Sequence, residues 1–266
     1  MKNIAAMRNS PASSHPGRFA ERGLTLIEML IAILIGLFLT GGLLTLVQGM
    51  KRANLNQSGL SQLQDNERMA MTLITDVIKS TGYYSDPVHN SAASSFPLKN
   101  YNANANFTFA GQALVGTGAY GAGSNVITSR YLTTGSDNVI NCTGNIKSVA
   151  ATFVNTFSLD GAGNLQCTLI VIVGGVAGQP TTVPLISGIT NMQIYYGVQT
   201  NGAAATNSVD TYMDAPTVTA GSYWNSVKSI MVTLTFSNPM FGQPKQPQTI
   251  QFTRVIAVMD KNGVTT

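Results

Sequence analysis

A chain of 266 residues is long enough to bury a sizeable core, yet only 10% of it is charged, against about 25% in a typical soluble globular protein. With 26 glycines, and Asn, Ser and Thr between the apolar runs, this is a poor match to a highly charged cytoplasmic enzyme and fits a β-rich exported domain with many turns. The net charge of +4 is concentrated at the start: setting aside Lys2, Arg8, Arg18, Arg22 and Glu21 leaves 11 basic and 10 acidic residues, so no basic cluster remains to favour nucleic acid as a partner.

Residues 1–23 are polar and mildly basic, without apolar periodicity, and read as a leader outside the fold. Residues 24–47, LTLIEMLIAILIGLFLTGGLLTLV, carry one charge and are long enough to span a bilayer as a helix. The basic flank keeps the leader on the cytoplasmic side and sends the rest of the chain across. No A-x-A-like site follows Val47, as an ordinary cleaved secretory signal would require. Instead Glu21-Arg22-Gly23 stands directly before the apolar run, and Glu28 lies one helical turn inside it. A charge at the centre of a bilayer costs roughly 2.5–3.5 kcal/mol on translocon scales, and less near its edge. A carboxylate kept there invites a specific partner.

Gly23-Leu24-Thr25-Leu26-Ile27-Glu28 resembles the class III signal of type IV pilins and pseudopilins. The resemblance implies cleavage between Gly23 and Leu24 by a prepilin peptidase, which also methylates the new amine. Leu24 stands where that family usually has Phe. Glu28 becomes the fifth mature residue, which in the family pairs with the N-terminal amine of a neighbouring subunit. Such a pairing is physically sound. The amine is cationic near neutral pH, and opposite charges in a low-dielectric helix bundle attract strongly.

The helical pattern continues past Val47. Leu55, Leu60, Leu63, Ala70, Leu73, Ile74, Val77 and Ile78 recur at spacings of three and four, and no proline occurs from Leu24 to Thr81. The predicted helix runs from Leu24 to Ser80, about 85 Å at 1.5 Å per residue, and Gly82 ends it. Its first half, 24–47, is the expected membrane anchor. Its second half, 48–81, is the expected amphipathic cover of a β-rich extracytoplasmic domain, 82–266. Gly36, Gly41 and Gly42 offer either close helix packing or a place to bend.

Gln62-Leu63-Gln64-Asp65-Asn66-Glu67-Arg68 and Ser80-Thr81-Gly82-Tyr83 resemble the LQxxxR and AGY elements of PilW-type minor pilins, with Thr81 replacing Ala. Further on, Arg130, Tyr131 and Asp137 resemble an R-Y-x-x-G-S-D pattern of the same proteins, with one extra residue before Gly135. Ile189–Gly197 and Trp224–Ile230 match their M-Q-V-x-Y-G strand and W-x-x-V-x-x-I element. The implied fold is α+β and type IV pilin-like, a long N-terminal helix packed on an antiparallel β-sheet domain.

Residues 85–124, rich in Asn, Ala, Ser and Gly, read as a long surface excursion with a strand piece near 106–109. Strands are predicted at 125–132, 139–142, 148–157, 166–173, 183–187, 191–196, 227–236 and 250–259, with a hairpin turn at Asp160-Gly161 and Gly163-Asn164. The group from 183–187 onward makes an antiparallel sheet with a face the long helix covers. Tyr195, Tyr196 and Trp224 read as core or rim packing residues rather than a ligand box. Cys142 and Cys167 lie 25 residues apart, flanking strand-like sequence; they form either one structural disulfide between neighbouring β elements or two buried or free thiols.

The chemistry of catalysis is sparse. His15 and His89 are the only histidines and no CxxC occurs, which disfavours zinc and Ser-His or Cys-His machinery. Asp137, Asp160, Asp210 and Asp214 lie in polar turns with no spacing that predicts convergence. The segment from Asp160 to Asn164 lacks a full calcium-ligand series, and no phosphate-binding loop occurs. No cofactor is expected. The resemblance implies a structural subunit whose partners are other minor pilins, the major pilin, the prepilin peptidase, the inner-membrane assembly platform and the lipid bilayer. A J-type pseudopilin of type II secretion shares the layout. An adhesin or DNA-receptor tip subunit is the alternative of another class.

Overall fold

The structure, a computed structural model, describes Gly23, residues 25–201 and residues 208–258. Residues 1–22 of the predicted leader, Leu24 and Met259 lie outside the described residues. Helix α1 runs from Leu26 to Lys79 without interruption, close to the expected span. The chain divides into two units, 1–54 and 55–266.

In the first unit the apolar side chains from Leu26 to Met50 are exposed, as they are for a helix whose solvent is not water. The glycines leave α1 intact, and Thr40 and Thr45 return their hydroxyls to the carbonyls of Gly36 and Gly42, at 2.7 Å each. A hydroxyl bonded to its own helix is satisfied without water.

In the second unit α1 buries Leu63, Ala70, Met71, Ile74, Val77 and Ile78, the stripe the three–four spacing predicts. The helix ends where expected. Gly82 adopts φ +79° and donates its N–H to the Arg130 carbonyl, so the chain turns onto the β-domain where a residue with a Cβ would be strained.

The segment after α1 is not a surface excursion. It forms α2 (Ala92–Ser95), the short pair β1 (Lys99–Asn100) and β2 (Asn106–Phe107), and β3 (Leu114–Thr117). Phe96, Ala105, Phe107, Leu114 and Val115 all enter the core. Single apolar residues scattered through Asn, Ser and Gly carry no period, so their burial depends on what the rest of the fold brings over them.

The later strands form the expected antiparallel sheet except for 183–187, which joins the earlier strands in a second large sheet. One has the order β3–β4–β5–β6, where β4 is Val126–Thr133, β5 Ala151–Leu159 and β6 Leu165–Val173; β7 (Val176–Ala177) and β8 (Thr181–Ile186) share the outer edge of β6. The other has the order β10–β9–β11–β12: Thr211–Met213, Ile189–Val198, Val227–Ser237 and Thr249–Ala257. Every pairing is antiparallel. In the second sheet Tyr196, Ile194 and Met192 sit opposite Ile230, Val232 and Leu234, all buried on one face. The sheets join at Asn125, whose N–H donates to the Met192 carbonyl while its side chain accepts from the N–H of Ile194.

The strand expected at 139–142 is an irregular loop. Asn138 is left-handed, at φ +55°, and the Asn141 side chain accepts from the N–H groups of Thr143 and Asn145. Asparagine offers the backbone a local partner in place of a sheet ladder. Helix α3 (Ala215–Ala220) and the short strand β10 are additions to the expected elements.

Candidate functional site

The residues expected to serve processing and assembly lie at the start of α1. Thr25 precedes the helix; its carbonyl accepts from the N–H groups of Glu28 and Met29. The Glu28 carboxylate turns back toward Thr25, 3.4 Å from its N–H and 3.3 Å from its hydroxyl. This is half of a capping box, in which an acidic residue in the first turn satisfies a free N–H and meets the positive end of the helix dipole. Both contacts are long, and Glu28 is exposed. Gly23 is exposed two residues ahead, and Leu24 lies outside the described residues. A Cβ added at Gly36, Gly41, Gly42 or Gly49 would touch nothing, so α1 is unoccupied by the rest of the described chain at these positions.

Cys142 and Cys167 are joined as a disulfide, both buried, with Cα atoms 6.2 Å apart. The bond does not link paired strands. Cys167 lies on β6, between Phe157 and Val183 in the ladder, whereas Cys142 belongs to the β4–β5 loop. The bond therefore pins that loop to the sheet. Two hydrogen bonds assist: the Cys142 N–H donates to the buried Asn155 side chain at 2.9 Å, and the Tyr131 hydroxyl donates to the Ile140 carbonyl at 2.7 Å. Burial raises the pKa of Tyr131, keeping it a neutral donor.

Arg130, beside Tyr131 on β4, is 1% exposed. Its Nε donates to the Gln112 carbonyl at 2.7 Å, and its two terminal nitrogens donate to the carbonyls of Pro97 and Phe96. Its guanidinium carbon lies 4.0 Å from the Phe107 ring centroid. Burial lowers its pKa to about 10, partly offset by Tyr101. The motif that begins at Arg130 is thus a clasp: Arg130 holds the 96–112 segment on one side of β4, and Tyr131 holds the 138–146 loop by Ile140.

The four aspartates do not converge. Asp137 accepts from the Thr133 hydroxyl and the Thr134 N–H; burial pushes its pKa up, but hydrogen bonding outweighs this and leaves it lowered. Asp160 closes the β5–β6 turn on Asn164 and Ala162, Asp210 holds Thr200 and Asn201, and Asp214 caps α3. No group of three or more His, Cys, Asp or Glu side chains suited to a metal ion occurs among the described residues. Tyr196 and Trp224 are core, their rings 4.9 Å apart and near perpendicular. Tyr195 is half-buried against Tyr120.

Two family models match the chain. Residues 153–259 match the Type IV Pilus-assembly protein W family, PilW, from β5 through β12. Residues 18–44 match the prokaryotic N-terminal methylation motif, spanning the end of the leader and the first turns of α1. The segments at 189–197 and 224–230 fall within the PilW match, while those at 62–84 and 130–137 lie outside both. Comparison with curated proteins returns no match. α1 is long and apolar enough to cross a membrane, and with the class III signal it fits an inner-membrane, single-pass protein. A methylation-motif N-terminus and a PilW-like segment on one chain, together with a long helix and antiparallel sheets, make this chain similar to prepilin-like proteins of the PilW family.

Proposed function

We propose that this chain is a minor pilin of the type IV pilus, a non-catalytic subunit that promotes pilus assembly from the inner membrane and enters the filament near its tip. The observation that carries this reading is the pairing of a methylation motif at 18–44 with a PilW match at 153–259. In this proposal a prepilin peptidase removes 1–23 and methylates Leu24. Residues 24–47 hold the subunit in the bilayer, 48–81 cover the β-domain, and 82–266 stand on the periplasmic side until extraction.

Glu28 gives registry. An exposed carboxylate held only by long contacts to Thr25 can exchange them for the amine of a neighbouring major or minor pilin at the assembly platform. That pair gains most where water is absent. The proposed role needs no catalysis: Asp137, Asp160, Asp210 and Asp214 are each engaged in a turn or a cap.

The test is a clean deletion complemented by wild type or by Glu28→Ala at native level. Deletion should reduce surface pili and twitching motility while leaving type II secretion intact. Glu28→Ala should insert and be processed, because Gly23 is untouched and a membrane charge is removed, yet fail to crosslink to other minor pilins or restore piliation. Loss of secretion with normal pili would assign the chain to type II secretion. Normal pili lacking only adhesion or DNA uptake would make it a binding module.

A further inference from the structure

A pocket of about 600 Å³ opens in the β-domain between the 95–101 segment, the ends of β4 and β6 and the start of β5, far in sequence from Glu28. Its volume is that of a small-molecule site. Arg130 contributes to its wall, as do Lys99 and Tyr101; no aspartate or glutamate does. Asp137, the carboxylate nearest in sequence to the lining residues Thr133 and Thr134, accepts from both of them.

Arg130 is an unusual wall. A guanidinium has five N–H groups, of which carbonyls take three. It makes no ion pair among the described residues, where the one salt bridge is that of His89 with Asp86. Carbonyls and the Phe107 face lower the cost of burying a cation, but they do not neutralise it. An arginine serving only to brace the 96–112 segment would need neither a pocket beside it nor a second cation in the same wall.

The rest of the wall is apolar. Leu98, Leu132 and Ile172 line the pocket. Val149, Val173 and Val176, next in sequence to lining residues, are exposed.

We propose that this pocket binds a carboxylate carried on an apolar body, with Arg130 and Lys99 meeting the carboxylate and Leu98, Leu132 and Ile172 holding the apolar part. Such a group is found in a small free aromatic or aliphatic acid and at the C-terminus of a polypeptide ending in apolar residues.

The test uses the full processed chain in lipid nanodiscs, with empty nanodiscs as the blank. Saturation-transfer NMR would measure phenylacetate against phenylacetamide, and N-acetyl-Leu-Val with a free carboxylate against its C-terminal amide. At least one acid should bind saturably, and its amide should bind at least tenfold more weakly. Binding of phenylacetate alone identifies a small free acid, and binding of the peptide acid alone a chain terminus.

Arg130 braces the fold, so the variants avoid it. Lys99→Gln, at an exposed residue, should weaken the acid several-fold, and Ala150→Trp, at the exposed mouth, should abolish binding, with Tm unchanged in both. No saturable binding of either acid at millimolar concentration, equal binding of acid and amide, or full binding by Ala150→Trp would overturn the proposal.

Discussion

Asp214 illustrates how the single carboxylates are used. Its side chain accepts from the N–H and hydroxyl of Thr217 and, across the fold, from the N–H of Tyr120 at 2.9 Å. The hydrogen bonds from Thr217, then from Tyr120, lower its pKa. A lowered folded pKa means that the ionised form stabilises the fold, fully so above the ordinary aspartate value of about 3.9. That contribution is lost as pH falls through the folded pKa. Asp214→Ala should therefore cost about 1 kcal/mol at pH 7, the usual worth of an N-cap. Denaturant titrations of both proteins should converge below about pH 4. A gap that persists at pH 2 would mean that the carboxylate charge is not what matters. The sequence holds the signal: Asp214-Ala215-Pro216 is a capping residue followed by a proline in the first helical turn. Taken as a polar turn it gives no sign of α3, because six residues show no apolar period.

At the scale of elements, the long helix is legible in the sequence because its signals agree: an apolar run, a three–four stripe, no proline and a terminal glycine. The strands of the PilW segment are legible too, and β9, β11 and β12 fall close to their expected bounds. Their partition into two sheets is legible only in part, since β8 joins the earlier strands. β4 is buried at nearly every position, so alternation does not say which face meets what. The cysteine spacing does not reveal that one partner lies in a loop, because Asn138 and Asn141 override the strand pattern around Ile140. Arg130, an arginine inside the apolar run VITSRYL, enters the sequence reading only as part of a motif; a cation in a strand buried on both faces is itself the sign of a clasp.

Two experiments probe these joints. Non-reducing peptide mapping should recover Cys142 and Cys167 in one crosslinked pair. Replacing both with Ala should cost roughly 2–4 kcal/mol by freeing the unfolded chain; no loss of stability would mean that the β4–β5 loop holds without the bond. The second joint lies between the sheets. A Cβ at Gly116 on β3 would overlap the Tyr196 hydroxyl, and the ring carbon bearing it would be 2.7 Å away. That hydroxyl is fully buried without a hydrogen-bond partner among the described residues. Gly116→Ala should cost about 1–3 kcal/mol by overpacking. Tyr196→Phe should be nearly neutral and should recover part of that loss, since the ring remains. Equal costs in both backgrounds would show that β9 does not pack on β3 in this way.

For the whole molecule in its proposed role, the same N-terminal residues serve two environments. The segment 24–47 suits a bilayer, because its described apolar side chains are exposed and the hydroxyls of Thr40 and Thr45 are satisfied within the helix. The proposed assembly step uses the one charge that a bilayer disfavours, Glu28. Both uses presume that the chain begins at Leu24, since only then does an amine stand at the membrane edge for a neighbour's carboxylate. The most direct measurement is mass spectrometry of the N-terminal peptide of the protein recovered from membranes. The account predicts an N-methylated Leu24 as the first residue. A chain beginning at Met1, or one cut after Val47, would contradict it.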